Sequence, residues 1–238
     1  FPDSARTEAM SFTIGRKAYL VGGSIPFVGL FRGTWEYDGD LNKWTRKADL
    51  KGQNRQLSVA FALSGLGYIG IGEGFLGIRF EDTFRYNPIT NIWTRLNDFS
   101  VGNVKSRSGA TSFVVNNKAY MIGGIYDDGG RKVSDSVFVY NTSTDQWSFV
   151  TKYPSGGRSA MIAFVVDNKV YVGSGNSAPF GGAPSAEFWE YNPSTNTWIR
   201  KTDIPTARTD ATAFVIGNKG YVVAGSGNSG NLLNDLWQ

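Results

Sequence analysis

The sequence is most restrictive in what it lacks. None of its 238 residues is a histidine or a cysteine. Their absence removes the usual general base, the soft metal ligands, every Cys/His or Ser/His/Asp nucleophile and all disulfides. Methionines number only three, and no apolar run approaches the eighteen or more residues that a membrane helix needs. The formal charge of +4 is spread along the chain, with no Lys/Arg block of the kind that tracks nucleic acid, so no nucleic-acid partner is expected. No 3.6-residue apolar period appears either, which argues against helix. What is abundant is glycine, 30 residues, and aromatics, 14% of the chain. That mixture suits many short strands joined by tight turns, in a chain long enough to bury a sizeable core.

A repeat organises these residues. Arg6, Arg55, Arg107, Arg158 and Arg208 stand 49, 52, 51 and 50 residues apart. Each is followed at fixed offsets by a Phe, a Tyr and a Gly: Phe12/Tyr19/Gly23, Phe61/Tyr68/Gly72, Phe113/Tyr120/Gly124, Phe164/Tyr171/Gly175 and Phe214/Tyr221/Gly225. A second half-motif pairs Tyr37 with Trp44, Tyr86 with Trp93, Tyr140 with Trp147 and Tyr191 with Trp198, around turn-forming segments such as "NPITNI" and "NPSTNT". Aromatics two residues before each of these tyrosines (Trp35, Phe84, Phe138, Trp189) give a period of two, which marks a strand.

Each repeat therefore reads as four antiparallel strands, a to d. The pairs Gly15-Arg16, Ser64-Gly65, Asn116-Asn117, Asp167-Asn168 and Gly217-Asn218 suit primed a–b hairpin turns, which need positive φ at one or both central positions. Small residues in strand a (Ser11, Ala60, Ser112, Ala163, Ala213) fit innermost strands, and Trp44, Trp93, Trp147 and Trp198 are expected between neighbouring blades. Radial repetition of such sheets describes a β-propeller. The expected fold is all-β, with four complete four-stranded blades and one incomplete one. The repeats run over 6–54, 55–106, 107–157, 158–207 and 208–238, within one propeller spanning 1–238.

These residues resemble the kelch repeat over essentially the whole chain: the arginine, the "YLVGG" and "YMIGG" segments, the Tyr before the "NPSTNTW"-type turn, and its Trp. The first glycine of the doublet is replaced by Ile71, Ser174 and Ala224 in three repeats. The wording "NPSTNTWIRKTDIPTAR" looks like kelch proteins of bacterial surfaces, which implies an extracellular or cell-surface setting. The galactose-oxidase-like propellers of the family close with six or seven blades. The resemblance therefore implies that the chain is part of a longer one, and that its own remainder is one of its partners. The family's copper oxidases and iron-dependent specifier proteins need histidine ligands that this sequence lacks, so no metal site and no cofactor are expected. Kelch-type sialic-acid epimerases need no metal and stay open.

Two sets of residues are candidates for function. Loop carboxylates (Glu73, Glu81 and Asp82; Asp127, Asp128 and Asp135) could serve a carbohydrate-modifying enzyme if two of them flanked a bond. The blander reading is solvated loop acids. "DDGG" at 127–130 reads as a turn, and the sequon at 141–143 as an Asx-type turn. The second set is the arginines. Each starts a strand a, on the face that also carries the b–c loops 24–34, 73–83, 125–137, 176–188 and 226–236, where five guanidinium groups would ring a central opening. Arginine presents a rigid fork of donors matched to carboxylates. In the kelch family, arginines at this position capture acidic peptide motifs, which carries over to Arg55, Arg107, Arg158 and Arg208, and to Arg6 near the chain start. Glu8 and Asp210 are expected as local partners of Arg6 and Arg208, leaving Arg55, Arg107 and Arg158 for a ligand carboxylate. A purely structural role, holding blade register, competes. Phe75, Tyr126 and Phe180 in the b–c loops complete the expected contact set. The leading expectation is a non-catalytic module that binds a protein or carbohydrate ligand on this face. The alternatives are an enzyme, and an architectural module of a larger surface protein.

Overall fold

The computed structural model describes residues 1–102, 104, 106–179 and 182–238. Five meander sheets follow one another along the chain, one per repeat. In repeat one the strands are Met10–Ile14, Lys17–Val21, Thr34–Asp38 and Lys43–Lys47. In repeat two they are Val59–Leu63, Leu66–Gly70, Thr83–Asn87 and Ile92–Arg95. Repeat three contributes Thr111–Val115, Lys118–Ile122, Ser136–Asn141 and Gln146–Lys152. Repeat four contributes Ile162–Val166, Lys169–Gly173, Phe188–Asn192 and Thr197–Arg200. The fifth sheet has three strands, Thr212–Ile216, Lys219–Val223 and Leu236–Trp237. This is the expected all-β, blade-by-blade propeller architecture, and the only helical pieces among the described residues are two 3-10 turns. No described helix is long and apolar enough to cross a membrane.

The turns use the residues that the sequence offers. Ser64-Gly65, Asn116-Asn117 and Asp167-Asn168 have positive φ at both central positions, and Gly15-Arg16 and Gly217-Asn218 at the first alone. Strand a pairs with strand b so that Phe sits opposite Tyr in every sheet, with rings stacked 5.0–5.4 Å apart. In each c–d turn the residue after Tyr accepts backbone N–H groups two or three positions on, as Asn87 does from Ile89 and Thr90. Asn141 of the sequon does the same with Ser143 and Thr144. Five residues after each Tyr stands Asn42, Asn91, Asp145 or Asn196, all with φ of 49–56°. This is a left-handed conformation that Asn and Asp tolerate, and each side chain accepts the hydroxyl of its Tyr.

The chain divides into two compact units, 1–108 with 140–147, and 109–139 with 148–238. In the first, strand a of repeat one runs beside strand a of repeat two. Trp93 is buried and sets its ring edge against Phe12, 6.5 Å away, while its indole N–H donates to the Ala48 carbonyl of the preceding repeat at 3.1 Å. Segment 140–147 belongs here because Tyr140 and Trp147 pack on Phe61 in the same manner. The core gathers Met10, Phe12, Tyr19, Val21, Leu50, Ile69, Phe84, Tyr86 and Trp93. In the second unit, Phe113, Tyr120, Met161, Val172 and Tyr191 are the centre of an equivalent core, with Trp198 packed against it. Trp93 and Trp147 are buried; Trp44 and Trp198 are half-buried.

Candidate ligand-binding face

Three of the repeat arginines are the most deeply buried charged residues among those described. Arg55, Arg107 and Arg208 are fully buried. Arg55 places its fork on Asp82, 27 residues on, with both nitrogen–oxygen distances 2.7 Å. Its remaining donors reach the Ile71 carbonyl at 3.1 Å and the Gln53 carbonyl at 3.2 Å, and its guanidinium lies 4.6 Å from the Phe80 ring centroid. Arg208 repeats the arrangement: Asp235 at 2.7 and 2.8 Å, the Ala224 carbonyl at 2.8 Å and the Thr206 carbonyl at 3.2 Å. Hydrogen bonding from Arg208 holds the Asp235 carboxyl at about 2, against its ordinary 3.8.

The other three vary the theme. Position 27 after Arg6 is Gly33, which has no side chain to offer, and Asp3 pairs with Arg6 from the N-terminal side. The Arg6 guanidinium also stacks 4.3 Å over Phe31 and donates to the Gly22 carbonyl. The corresponding position after Arg158 is Ser185. The acid moves two residues further to Glu187, 3.4 Å from Arg158 Nη2, and the buried Nε of Arg158 has no hydrogen-bond partner. Arg107 stacks 5.0 Å over Phe99.

Two expectations about local partners are thereby corrected. Arg208 pairs with Asp235 and not with Asp210, and Arg6 with Asp3 and not with Glu8. Arg55, expected to lack an acid, has the best-placed one. Residues two apart at a strand entry diverge, whereas the b–c loop returns its last residue to the mouth of strand a, where the guanidinium already points.

The same arginines explain the glycine doublet. Arg6, Arg55 and Arg208 each bond through the side chain to the carbonyl of the first doublet residue, just past their own strand b: Gly22, Ile71 and Ala224. The backbone carbonyl of the next repeat's arginine then accepts the N–H of the second doublet residue: Gly23 donates to Arg55, Gly72 to Arg107, Gly124 to Arg158 and Gly175 to Arg208. Both doublet positions have positive φ, but differently. The first lies at 54–73°, in the left-handed well, where Ile71, Ser174 and Ala224 are accommodated. The second lies at 86–99°, where a side chain is strained, and a Cβ on Gly23 would meet the Thr7 carbonyl oxygen at 2.8 Å.

Above this lattice lie the loop residues. Phe75 is 75% exposed, and Tyr126 is half-buried on a short hairpin, Ile125–Asp127 with Arg131–Val133. Phe180 lies outside the described residues. Phe31 turns inward onto Arg6, whereas Phe27, at a hairpin tip, stands entirely in solvent. Two residues that the sequence reading passed over join the face: Arg32, which is exposed, and Leu76, 80% exposed. Four of the loop acids have described partners, Asp82 through Arg55. Glu73 accepts from Gln56 and Ser108, Asp128 pairs with Lys132, and Asp135 with Lys152.

Comparison with known proteins agrees with this geometry. Residues 109–238, more than half of the chain, match the family model described as the KLHDC2/KLHL20/DRC7 Kelch-repeats domain. Kelch-like protein 25 of Xenopus tropicalis is 25% identical over 231 residues, covering 93% of this chain and 37% of that protein. Human Kelch-like protein 23 is 24% identical over 225 residues, covering 94% and 38%. An N-acetylneuraminate epimerase of Shigella flexneri is 25% identical over 172 residues, covering 58% of this chain and 46% of the epimerase. The chain thus spans less than half the length of these relatives. With five sheets in one register, an arginine-to-loop bond in each repeat where it is described, and the family model matched, the chain belongs to the kelch-repeat β-propeller family.

Proposed function

We propose that the chain is a non-catalytic interaction module that binds a protein ligand through its d–a and b–c loops. The observation that carries this reading is the division of labour on the face. Large apolar side chains, Phe27, Phe75 and Leu76, stand in solvent on loops whose bases are pinned by buried arginines. Loops held on a rigid scaffold are a common site of binding, and apolar groups kept in water mark a surface that is covered by something. In this reading Arg6, Arg55, Arg107, Arg158 and Arg208 contribute by fixing loop posture, and Phe75 and Tyr126 by contact. A glycan is a second possible ligand class, since aromatic rings beside polar groups also suit a sugar face.

An epimerase-type activity is the second reading, favoured by the N-acetylneuraminate epimerase among the relatives. Against it, the carboxyl groups of Asp3, Glu36, Asp38, Asp128, Glu190 and Asp235 are held below their ordinary pKa. A general acid needs the opposite displacement. The two readings separate in a paired assay of the intact chain: binding to immobilised peptide and glycan panels, and NMR exchange between N-acetylneuraminate anomers. Peptide binding with anomer exchange at the buffer rate is the expected result. Accelerated exchange without peptide binding would replace this proposal with the enzymatic one.

A further inference from the structure

The fold contains its own control for one pair of loops. The b–c loops of repeats two and five have the same length and the same backbone. Phe75–Gly77 and Asn228–Gly230 both form a 3-10 turn behind an extended glycine, Gly74 at φ −103°, ψ −158° and Gly227 at φ −88°, ψ −165°. The central residues, Leu76 (57°, 22°) and Ser229 (60°, 18°), share a left-handed conformation. Gly74 N–H to Ile78 carbonyl, 2.8 Å, matches Gly227 to Asn231, 2.9 Å; Phe80 to Gly72 matches Leu233 to Gly225, both 2.9 Å. The backbone is therefore indifferent to what it carries. In repeat five it carries Asn228, Ser229 and Asn231; in repeat two it carries Phe75, Leu76 and Ile78, exposed by 75, 80 and 63%. A left-handed leucine, less favourable than serine there, and three apolar side chains in water serve no need of the loop itself.

These side chains face a second apolar tip in the same unit. The hairpin Ser24–Ile25 with Gly29–Leu30 presents Phe27, also at positive φ (62°), and Val28. Between the tips lie two adjoining cavities of about 540 and 450 Å³, which share Val28, Gly29, Leu30 and Phe75 in their walls. Arg32, Gln53 and Asn54 line the first and Thr7, Glu8, Ser24 and Gln56 the second, so the groove sets the apolar side chains of Phe27, Val28, Leu30, Phe75 and Leu76 among polar ones, with Arg32 at one end and Glu8 at the other. Arg32 has no ion pair among the described residues, in contrast to Arg55, whose fork is filled.

Resting on the protein-binding reading above, we propose that this groove is the primary contact site, and that it takes a protein segment with one or two large apolar residues next to an acidic one. The apolar residues would seat between Phe27, Val28, Phe75 and Leu76, and the acid would meet Arg32. Its concavity suits side chains.

The test selects a phage-displayed random twelve-residue peptide library on the intact chain, then measures the selected peptides against two variants. The first, Phe75→Asn with Leu76→Ser and Ile78→Asn, copies repeat five onto repeat two and keeps the fold by construction, checked by an unchanged Tm. The second is Arg32→Glu. Selected peptides should pair an aromatic or aliphatic residue with Asp or Glu, and lose about tenfold or more in affinity on each variant, as removal of anchor residues does. Peptides that bind both variants as tightly as the parent would overturn the groove while leaving a peptide-binding face elsewhere. Failure to select any peptide would overturn both this proposal and the reading beneath it. Cosedimentation of the parent but not the triple variant with phosphatidylcholine/phosphatidylserine vesicles, without peptide selection, would reassign the patch to membranes.

Discussion

Replacing Arg55 with alanine should destabilise the protein by about 3–5 kcal/mol, the range for removing one partner of a buried, hydrogen-bonded ion pair. The structure supplies the terms. Two charge-assisted bonds of 2.7 Å to Asp82 are lost, along with two bonds to the Ile71 and Gln53 carbonyls and the stacking on Phe80. Asp82, only 18% exposed, is left without its counter-charge. Charged hydrogen bonds contribute about 1.5–3 kcal/mol each, but these act as one unit and do not sum. For a chain of this size each kcal/mol moves Tm by about 2–4 °C, so a fall of roughly 6–20 °C is expected. Urea titration and calorimetry read the effect. Arg55→Lys, which keeps the charge but not the fork, should fall between the parent and alanine. Arg16→Ala, which opens the exposed pair with Asp40, should change stability by under about 1 kcal/mol. Parent-like stability of Arg55→Ala would refute the reasoning, because no buried pair is lost without consequence.

The remaining predictions concern charge and backbone. Asp235 has a folded pKa of about 2 against an ordinary 3.8, so its contribution to stability is present above pH 4 and disappears as pH falls from about 4 to 2. Asp235→Asn should flatten that part of a stability-versus-pH curve by about 1 kcal/mol after allowance for solvent screening; an unchanged curve would contradict the pairing. In the doublet, Gly23→Ala should cost about 1–3 kcal/mol because its Cβ meets the Thr7 carbonyl, whereas Ala224→Gly at the first position should cost less. Equal losses in the two variants, measured by urea titration, would mean that the φ difference between the positions is immaterial.

Period and turn chemistry were legible because both are local. Arg, Phe, Tyr and Gly recur at fixed offsets, and the Asn residues of the c–d turns announce their own backbone bonds. The partners of the arginines were not legible by proximity in sequence. Asp210 lies two residues from Arg208, yet the acid that binds is Asp235, 27 residues on, because the b–c loop returns to the mouth of strand a; Asp3, which takes Arg6 in place of Glu8, is near in sequence but on the other side of the arginine. A signal did exist: Asp82 and Asp235 each fall 27 residues after their arginine, in loops that also share a Gly-x-x-Gly pattern at Gly74 and Gly77 and at Gly227 and Gly230. Ser185 at that position in repeat four displaces the acid to Glu187, which blurred the pattern. Apolar loop residues were ambiguous for a different reason. Phe31 folds back and Phe75 does not, a distinction set by the neighbouring guanidinium and invisible in composition.

Proton exchange at the arginine side chains distinguishes most directly between arginines that brace the loops and arginines that await a ligand. In 15N-arginine-labelled protein without ligand, the Nε–H signals of Arg55 and Arg208, donors to the Gln53 and Thr206 carbonyls, should be dispersed and slow to exchange with water. Exposed Arg32 should exchange rapidly, and addition of an acidic peptide should move Arg32 while leaving the other two in place. Rapid exchange at Arg55 and Arg208 in the free protein, followed by protection only when the peptide is added, would contradict the assignment of these residues to the scaffold.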